Sequence, residues 1–250
     1  MRRHICKIIL LILSTNTLSA NENISNFQFT ALPNASYKDS EGFSLGGQIF
    51  LFQYGDGRVK PYEWRTAASF KMSNEGMASG YIFLDRPNFW GENSRLQLYA
   101  EYNRNRFDDY YGLGNTPTYN KNFIEPSHAD YKSENYYSFK QQRPGIQATF
   151  QMPSRLAHTR HSFGFGVSRQ KIDAYIEANR LLENLPTGFA GGITSLLQYG
   201  LLYDTRDQEA GPTSGAWSDA LAEYASPIWG SDYNYVRLTF TDRRYISLGP

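Results

Sequence analysis

A two-residue period near the end of the chain constrains its fold more than any other feature. Between Leu201 and Leu248, three β-like runs are separated by two turns, and each run has roughly the 9–11 residues that a tilted strand needs to cross a bilayer. In the last run Val236, Leu238 and Phe240 alternate with Arg237, Thr239 and Thr241. An apolar face backed by a charged one sets one side against an oily phase and the other against water. That is the pattern of a transmembrane β-barrel strand.

Earlier runs repeat it. Phe43, Leu45, Ile49 and Leu51 alternate with Ser44, Gly46 and Gln48, and Tyr54-Gly55-Asp56-Gly57 reads as a hairpin turn. Trp64, Thr66, Ala68, Phe70 and Met72 share a face opposite Glu63, Arg65, Ser69 and Lys71. A Lys or Arg held at the bilayer midplane costs roughly 2–4 kcal/mol, so this second face lines a wet lumen. After a tight turn at Asn74-Glu75-Gly76, Ala78, Gly80, Ile82 and Leu84 mark the outer face of a third strand. Phe89 and Trp90 in the next turn suit the aromatic girdle of a membrane interface.

A fourth strand sets Leu96, Leu98, Ala100 and Tyr102 outside, with Arg95, Gln97, Glu101 and Asn103 inside. The long polar segment 116–135 reads as an extracellular loop, because barrels alternate long outer connections with short periplasmic ones. The fifth strand carries Ile146, Ala148, Phe150 and Met152, with a bulge or late entry expected at Pro144. The sixth carries Phe163, Phe165 and Val167, and the seventh Leu197, Tyr199, Leu201 and Tyr203. Between them, the spacing from Ala174 to Leu185 predicts one short helix ended by Pro186 and Gly188, packed at the rim or gating the mouth.

The start of the chain predicts export. Arg2, Arg3 and Lys7 precede an apolar run from Ile8 to Leu13, and Leu18-Ser19-Ala20 ends in a small residue. This is a secretory signal peptide over 1–20, far short of the ~20 apolar residues of a spanning helix. Its removal takes away the single cysteine, Cys6, and three positive charges, so the formal net charge goes from +1 to −2. With 16% aromatic residues and a mean hydropathy of −0.55, the rest is too polar for helical spans and too aromatic for disorder. Its basic residues are interspersed with acidic ones, so no nucleic-acid partner is expected. Residues 21–42 read as a periplasmic lead-in with a turn at Pro33-Asn34, and 43–250 as the barrel domain.

The final stretch also carries a resemblance. A strand ending in Tyr203 leads to Asp204, Arg206 and Asp207, then Pro212-Thr213-Ser214-Gly215, a new strand, a Gly230-Ser231-Asp232-Tyr233 turn and a further strand. In order and spacing this resembles the bacterial surface antigen family, the barrel shared by BamA and TamA. Tyr110-Tyr111-Gly112-Leu113-Gly114-Asn115 resembles it again. The resemblance implies a sixteen-strand outer-membrane barrel with a role in assembling or inserting outer-membrane proteins. Against the family pattern, 21–42 leaves no room for a POTRA domain, and the Val-Arg-Gly-Phe or Val-Arg-Gly-Tyr lumen loop is missing. The sequence reads as nine strands, ten if the fifth is split at Pro144, so an incomplete barrel is expected.

Few residues invite chemistry. Asp204, Arg206 and Asp207 read as a salt-bridged, Asx-turned strand end. His158 and His161, beside Ser162, suggest a metal pair or a lipase-like site, but no carboxylate cluster or glycine-flanked serine accompanies them. The expectation is therefore an all-β, antiparallel transmembrane β-barrel of nine to ten meandering strands with one loop helix, located in the cell outer membrane. Its partners would be outer-membrane lipid and other outer-membrane proteins. No catalytic residue, metal or cofactor is expected, and the chain is read as no enzyme. Two alternatives remain open: a passive diffusion pore lined by Arg65, Lys71, Arg95, Glu101, Arg237 and Arg243, and a lipid-modifying barrel enzyme using His158 and His161.

Overall fold

The structure is a computed structural model that describes residues 26–39, 41–56, 59, 61–115, 119–175, 178–209 and 211–247. The segment 1–20, expected to be a signal peptide, lies outside these residues. Ten strands form one antiparallel sheet in strict sequence order: β1 (Phe27–Lys38), β2 (Gly42–Gln53), β3 (Trp64–Ser73), β4 (Ala78–Pro87), β5 (Arg95–Asp109), β6 (Ser138–Pro153), β7 (Thr159–Ala174), β8 (Gly191–Asp204), β9 (Gly215–Ala225) and β10 (Tyr235–Tyr245). Among the described residues β1 pairs only with β2 and β10 only with β9, so the sheet is not closed.

Register fixes the two faces. Leu98 stands opposite Ala148, Ala148 opposite Phe165 and Phe165 opposite Leu197, one apolar row crossing four strands. The residues beside them form a second row of Gln97, Thr149, Gly164 and Gln198. Large apolar side chains such as Phe70, Ile82, Ile146 and Phe165 stay exposed on the first face, whereas buried positions include Ser44, Asp85, Arg95 and Glu223 on the second. In water this would be inside-out; it is the arrangement of a wall that meets lipid outside and polar contents inside. No helix of the described residues is long and apolar enough to cross a membrane, which leaves spanning to the strands.

Four expectations need correction. The lead-in 21–42 is largely strand: Phe27–Lys38 pairs with β2 along its whole length, and Pro33 lies opposite Gly47 with no turn. Proline is tolerated there because β1 has a neighbour on one side only, so the missing N–H breaks no outer ladder. The expected bulge at Pro144 is absent from β6, which keeps register with β5 at Tyr102. The irregularity sits on β5 between Asn105 and Asp108, while Pro144 merely leaves a gap in the β6–β7 ladder.

The helix expected over 174–185 is a single turn, α1 (Arg180–Asn184), since β7 runs on to Ala174. Asn179 caps it by accepting from Leu181 N, and Leu185 ends it at φ 40° just before Pro186. Ile176 and Glu177, part of that expectation, lie outside the described residues. Finally, the turn at 54–57 is only the start of a ten-residue connection, 54–63, that brings Tyr62 over the sheet end.

The connections alternate between two ends. Residues 54–63, 88–94, 154–158 and 205–214 lie at one end, here termed the turn end; 39–41, 74–77, 110–137, 175–190 and 226–234 lie at the other, the loop end. The segment expected to be a long loop, 116–135, falls within the longest connection.

Candidate functional site

The polar face at the turn end holds the most concentrated chemistry. Asp85, on β4, is fully buried, and Arg95, on β5, nearly so. A strand alternation that places charge inward gives each a position, but burial without a partner would be prohibitive. The two satisfy each other bidentately: Arg95 Nε donates to Asp85 Oδ1 at 2.6 Å and Nη2 to Oδ2 at 2.6 Å. Tyr62 Oη donates to Asp85 Oδ2 at 2.5 Å, and Arg65 Nε reaches the same oxygen at 3.2 Å. Burial, together with the neighbouring carboxylate, pushes the Tyr62 phenol well above its ordinary range, so it remains a donor.

Glu209 completes the cluster from far along the chain. Arg95 Nη1 and Nη2 donate to its two carboxylate oxygens at 2.9 and 3.1 Å, tying β5 to the β8–β9 connection across 114 sequence positions. That connection is itself a closed turn. Arg206 grips Asp204 through Nε and Nη2, both at 2.8 Å, and Asp207 accepts from Thr213 Oγ1 at 2.6 Å and Thr213 N at 3.0 Å. The Thr213 hydroxyl holds the Asp207 carboxyl below its usual range. Gly215 ends the turn at φ +96°, where a Cβ would lie 2.1 Å from the Thr205 carbonyl oxygen. The Asp204, Arg206 and Asp207 group is thus structural, holding a turn that delivers Glu209.

Further along the polar face, side chains hydrogen-bond across the strands. Gln147 Nε2 donates to Gln198 Oε1 at 2.9 Å, and Gln198 Nε2 donates to Glu223 Oε1 at 2.8 Å. Glu223 accepts in turn from Arg237. Gly164 makes this possible, because a Cβ there would meet Gln198 Oε1 at 2.4 Å. Five of the six residues expected to line a pore are ion-paired in place, Arg65 with Asp85 as described above. Lys71 pairs with Glu41 at 3.4 Å, Arg95 as above, Glu101 with Arg143 at 3.3 Å and Arg237 with Glu223. Arg243 lies over the Trp217 ring, 4.9 Å from its centroid. Charge on this face serves chiefly to bind the wall to itself.

The two histidines do not converge. His161 shares the apolar face with Phe163 and sits 3.0 Å from Tyr199 Oη, whereas Ser162 lies on the polar face opposite Gly200 and Gln151. His158 occupies the 154–158 turn at φ 57° and borders a cleft of about 560 Å³ with Arg155, Arg160 and Asp204. No group of three or more His, Cys, Asp or Glu side chains able to hold a metal occurs among the described residues.

The sequence reading missed Tyr62, Asp85 and Glu209. For Asp85 a signal existed, since its register places it on the same face as Arg65 and Gln97. For Glu209 there was none: only folding brings a turn residue to a strand so distant.

At the loop end the two longest connections pack on each other. Tyr136, fully buried, donates through Oη to Glu183 Oε2 at 2.5 Å, and Lys132 Nζ reaches Glu183 Oε1 at 2.9 Å while lying over the Phe123 and Tyr136 rings. Asn179 Nδ2 donates to the Asn135 and Ser138 carbonyls, and Ser133 Oγ to the Ala178 carbonyl. Tyr111, Tyr119 and Tyr137 pack beside them in edge-on and tilted contacts.

A ten-stranded antiparallel meander with an exposed apolar face and an ion-paired polar face defines a wall of the outer-membrane β-barrel class. Residues 111–250 match the Omp85 superfamily domain, and the chain belongs to that superfamily. Among solved structures it is similar to the crystal structure of BamA from Haemophilus ducreyi lacking POTRA domains 1-3, with 15% sequence identity, a TM-score of 0.49 and coverage of 90% of this chain. The chain spans 38% of the length of that structure. No curated protein matches it.

Proposed function

We propose that this outer-membrane protein takes part in the assembly or insertion of other outer-membrane proteins, with lipid and those proteins as its partners, after export on the 1–20 signal peptide. Membership of the Omp85 superfamily supports this reading. The observation that carries it is the match of residues 111–250 to the Omp85 superfamily domain.

Depletion of the protein is the test. Lower steady-state amounts of several unrelated outer-membrane barrels, at unchanged synthesis, are expected. Unchanged amounts across all of them would overturn the reading.

A further inference from the structure

On β5, β6 and β7 the apolar face changes character at the loop end. Beyond Tyr102, Ile146 and Val167, the next positions facing the same way are Arg104, Lys140, Arg169 and Lys171, interspersed with Pro144 and Gln142. Register makes this unambiguous: Arg104 stands opposite Gln142 and Gln142 opposite Lys171, in the row system that holds Ile146 and Val167. At the turn end of the same three strands the outward positions are Leu96, Met152 and His161, with no Lys, Arg, Asp or Glu. The apolar band therefore has a cationic rim on one side only.

The local acids do not cancel it. Facing the same way are Asp173, 3.2 Å from Lys171 Nζ, and Asp109, which accepts from Tyr111 Oη and Ser138 Oγ. Arg104 donates through Nε to the Gly76 carbonyl at 2.9 Å and makes no ion pair among the described residues, and Lys140 Nζ lies 4.4 Å above the Tyr175 ring. Arg169 is exposed and makes no ion pair among the described residues. Guanidinium and ammonium groups placed just past an apolar band meet the headgroup layer, where phosphate is the complementary partner.

We propose that Arg104, Lys140, Arg169 and Lys171 form a membrane-facing belt that binds the phosphates of anionic lipid in the leaflet around the loop end. The proposal rests on the reading that the apolar face is embedded in lipid, and the test separates the two. The full chain is refolded in phosphatidylcholine vesicles containing spin-labelled phosphatidylglycerol or spin-labelled phosphatidylcholine, and the fraction of each that is motionally restricted by the protein is measured.

Restriction of both lipids, with phosphatidylglycerol preferred by about fivefold at each cation it contacts, is the expected result. The preference falls towards one in a variant carrying Arg104→Gln, Lys140→Gln, Arg169→Gln and Lys171→Gln. It persists in Arg143→Gln/Arg237→Gln, which removes charge from the polar face. Because Arg169 is exposed and makes no ion pair among the described residues, Arg169→Gln alone lowers the preference even if the fourfold variant does not refold. Equal restriction of the two lipids, or an equal loss in the polar-face control, overturns the belt and leaves the membrane reading standing. No restriction of either lipid overturns both.

Discussion

The two ends of the sheet solve one problem with different materials. At the turn end, polar groups are buried in the wall itself: Asp85 and Arg95 come from adjacent strands, and Tyr62 and Glu209 fold over them from connections. At the loop end, burial is achieved outside the strands, where Tyr136, Lys132 and Glu183 join two connections into a cap. A fault in the first lies in the sheet, and a fault in the second only in the cap. Barrel walls in lipid cannot tolerate unpaired groups, whereas loops in water can exchange a lost partner for solvent.

The largest expected effect is therefore at Asp85. Asp85→Asn leaves Arg95 buried opposite a neutral partner and costs about 3–5 kcal/mol of stability, read by denaturant unfolding of the protein refolded in micelles. Replacing both charges, Asp85→Leu with Arg95→Met, recovers part of that loss, because the buried pair goes as a unit, while Glu209 and Arg65, which lose a partner each, are partly exposed and can turn to solvent. A double variant as unstable as the single would refute pairing as the reason for their burial.

Tyr136→Phe in the cap removes one hydrogen bond to Glu183 and costs about 1–3 kcal/mol locally. Hydrogen exchange is expected to rise over 119–137 and 179–190, with protection in β6 and β7 unchanged. Loss of protection in the strands would mean that the two ends are one cooperative unit.

The cap also gives a pH dependence. Burial tends to raise the Glu183 carboxyl, but hydrogen bonds from Tyr136 and Lys132 outweigh it and hold the group below the usual carboxylate range. A folded-state value below the unfolded one means stability that is fully present above about pH 4.5 and is lost as pH falls through the lowered value. Exchange in the cap is expected to increase on acidification below that point, and Glu183→Gln to abolish the dependence.

The smallest effect belongs to Arg237, on the exposed edge strand β10. Although it pairs with Glu223, its side chain is more than half exposed, and solvent screening limits the pair to about 0–1 kcal/mol. Arg237→Ala should leave the denaturation midpoint almost unmoved.

What was legible in the sequence is what repeats. The alternation of Val236, Leu238 and Phe240 with Arg237, Thr239 and Thr241 placed β10 correctly, and the same period placed β2 to β8. What depends on one exception was not. Pro33 disguised β1 as a turn, because the residue that forbids a central strand is harmless at an edge. The bulge between Asn105 and Asp108 has no proline or glycine to announce it, while Pro144, which does, pairs in register. The charged cluster was half visible: alternation put Arg95 inside, but nothing local tells that Glu209, held in its turn by Asp204, Arg206 and Asp207, closes over it.

The central claim is that the two faces of this sheet meet different phases. The single cysteine, Cys6, lies in the 1–20 segment and outside the sheet, so with Cys6 replaced, single cysteines can be introduced at successive positions from Leu196 to Tyr203 of β8 in the outer membrane or in vesicles. The positions are then tested with a water-soluble maleimide and with a lipid-confined thiol reagent. The account predicts a period of two, with 197, 199, 201 and 203 reached from the lipid and 196, 198, 200 and 202 shielded from it. Lipid reactivity without alternation, or aqueous labelling of Leu197 and Leu201, would contradict it.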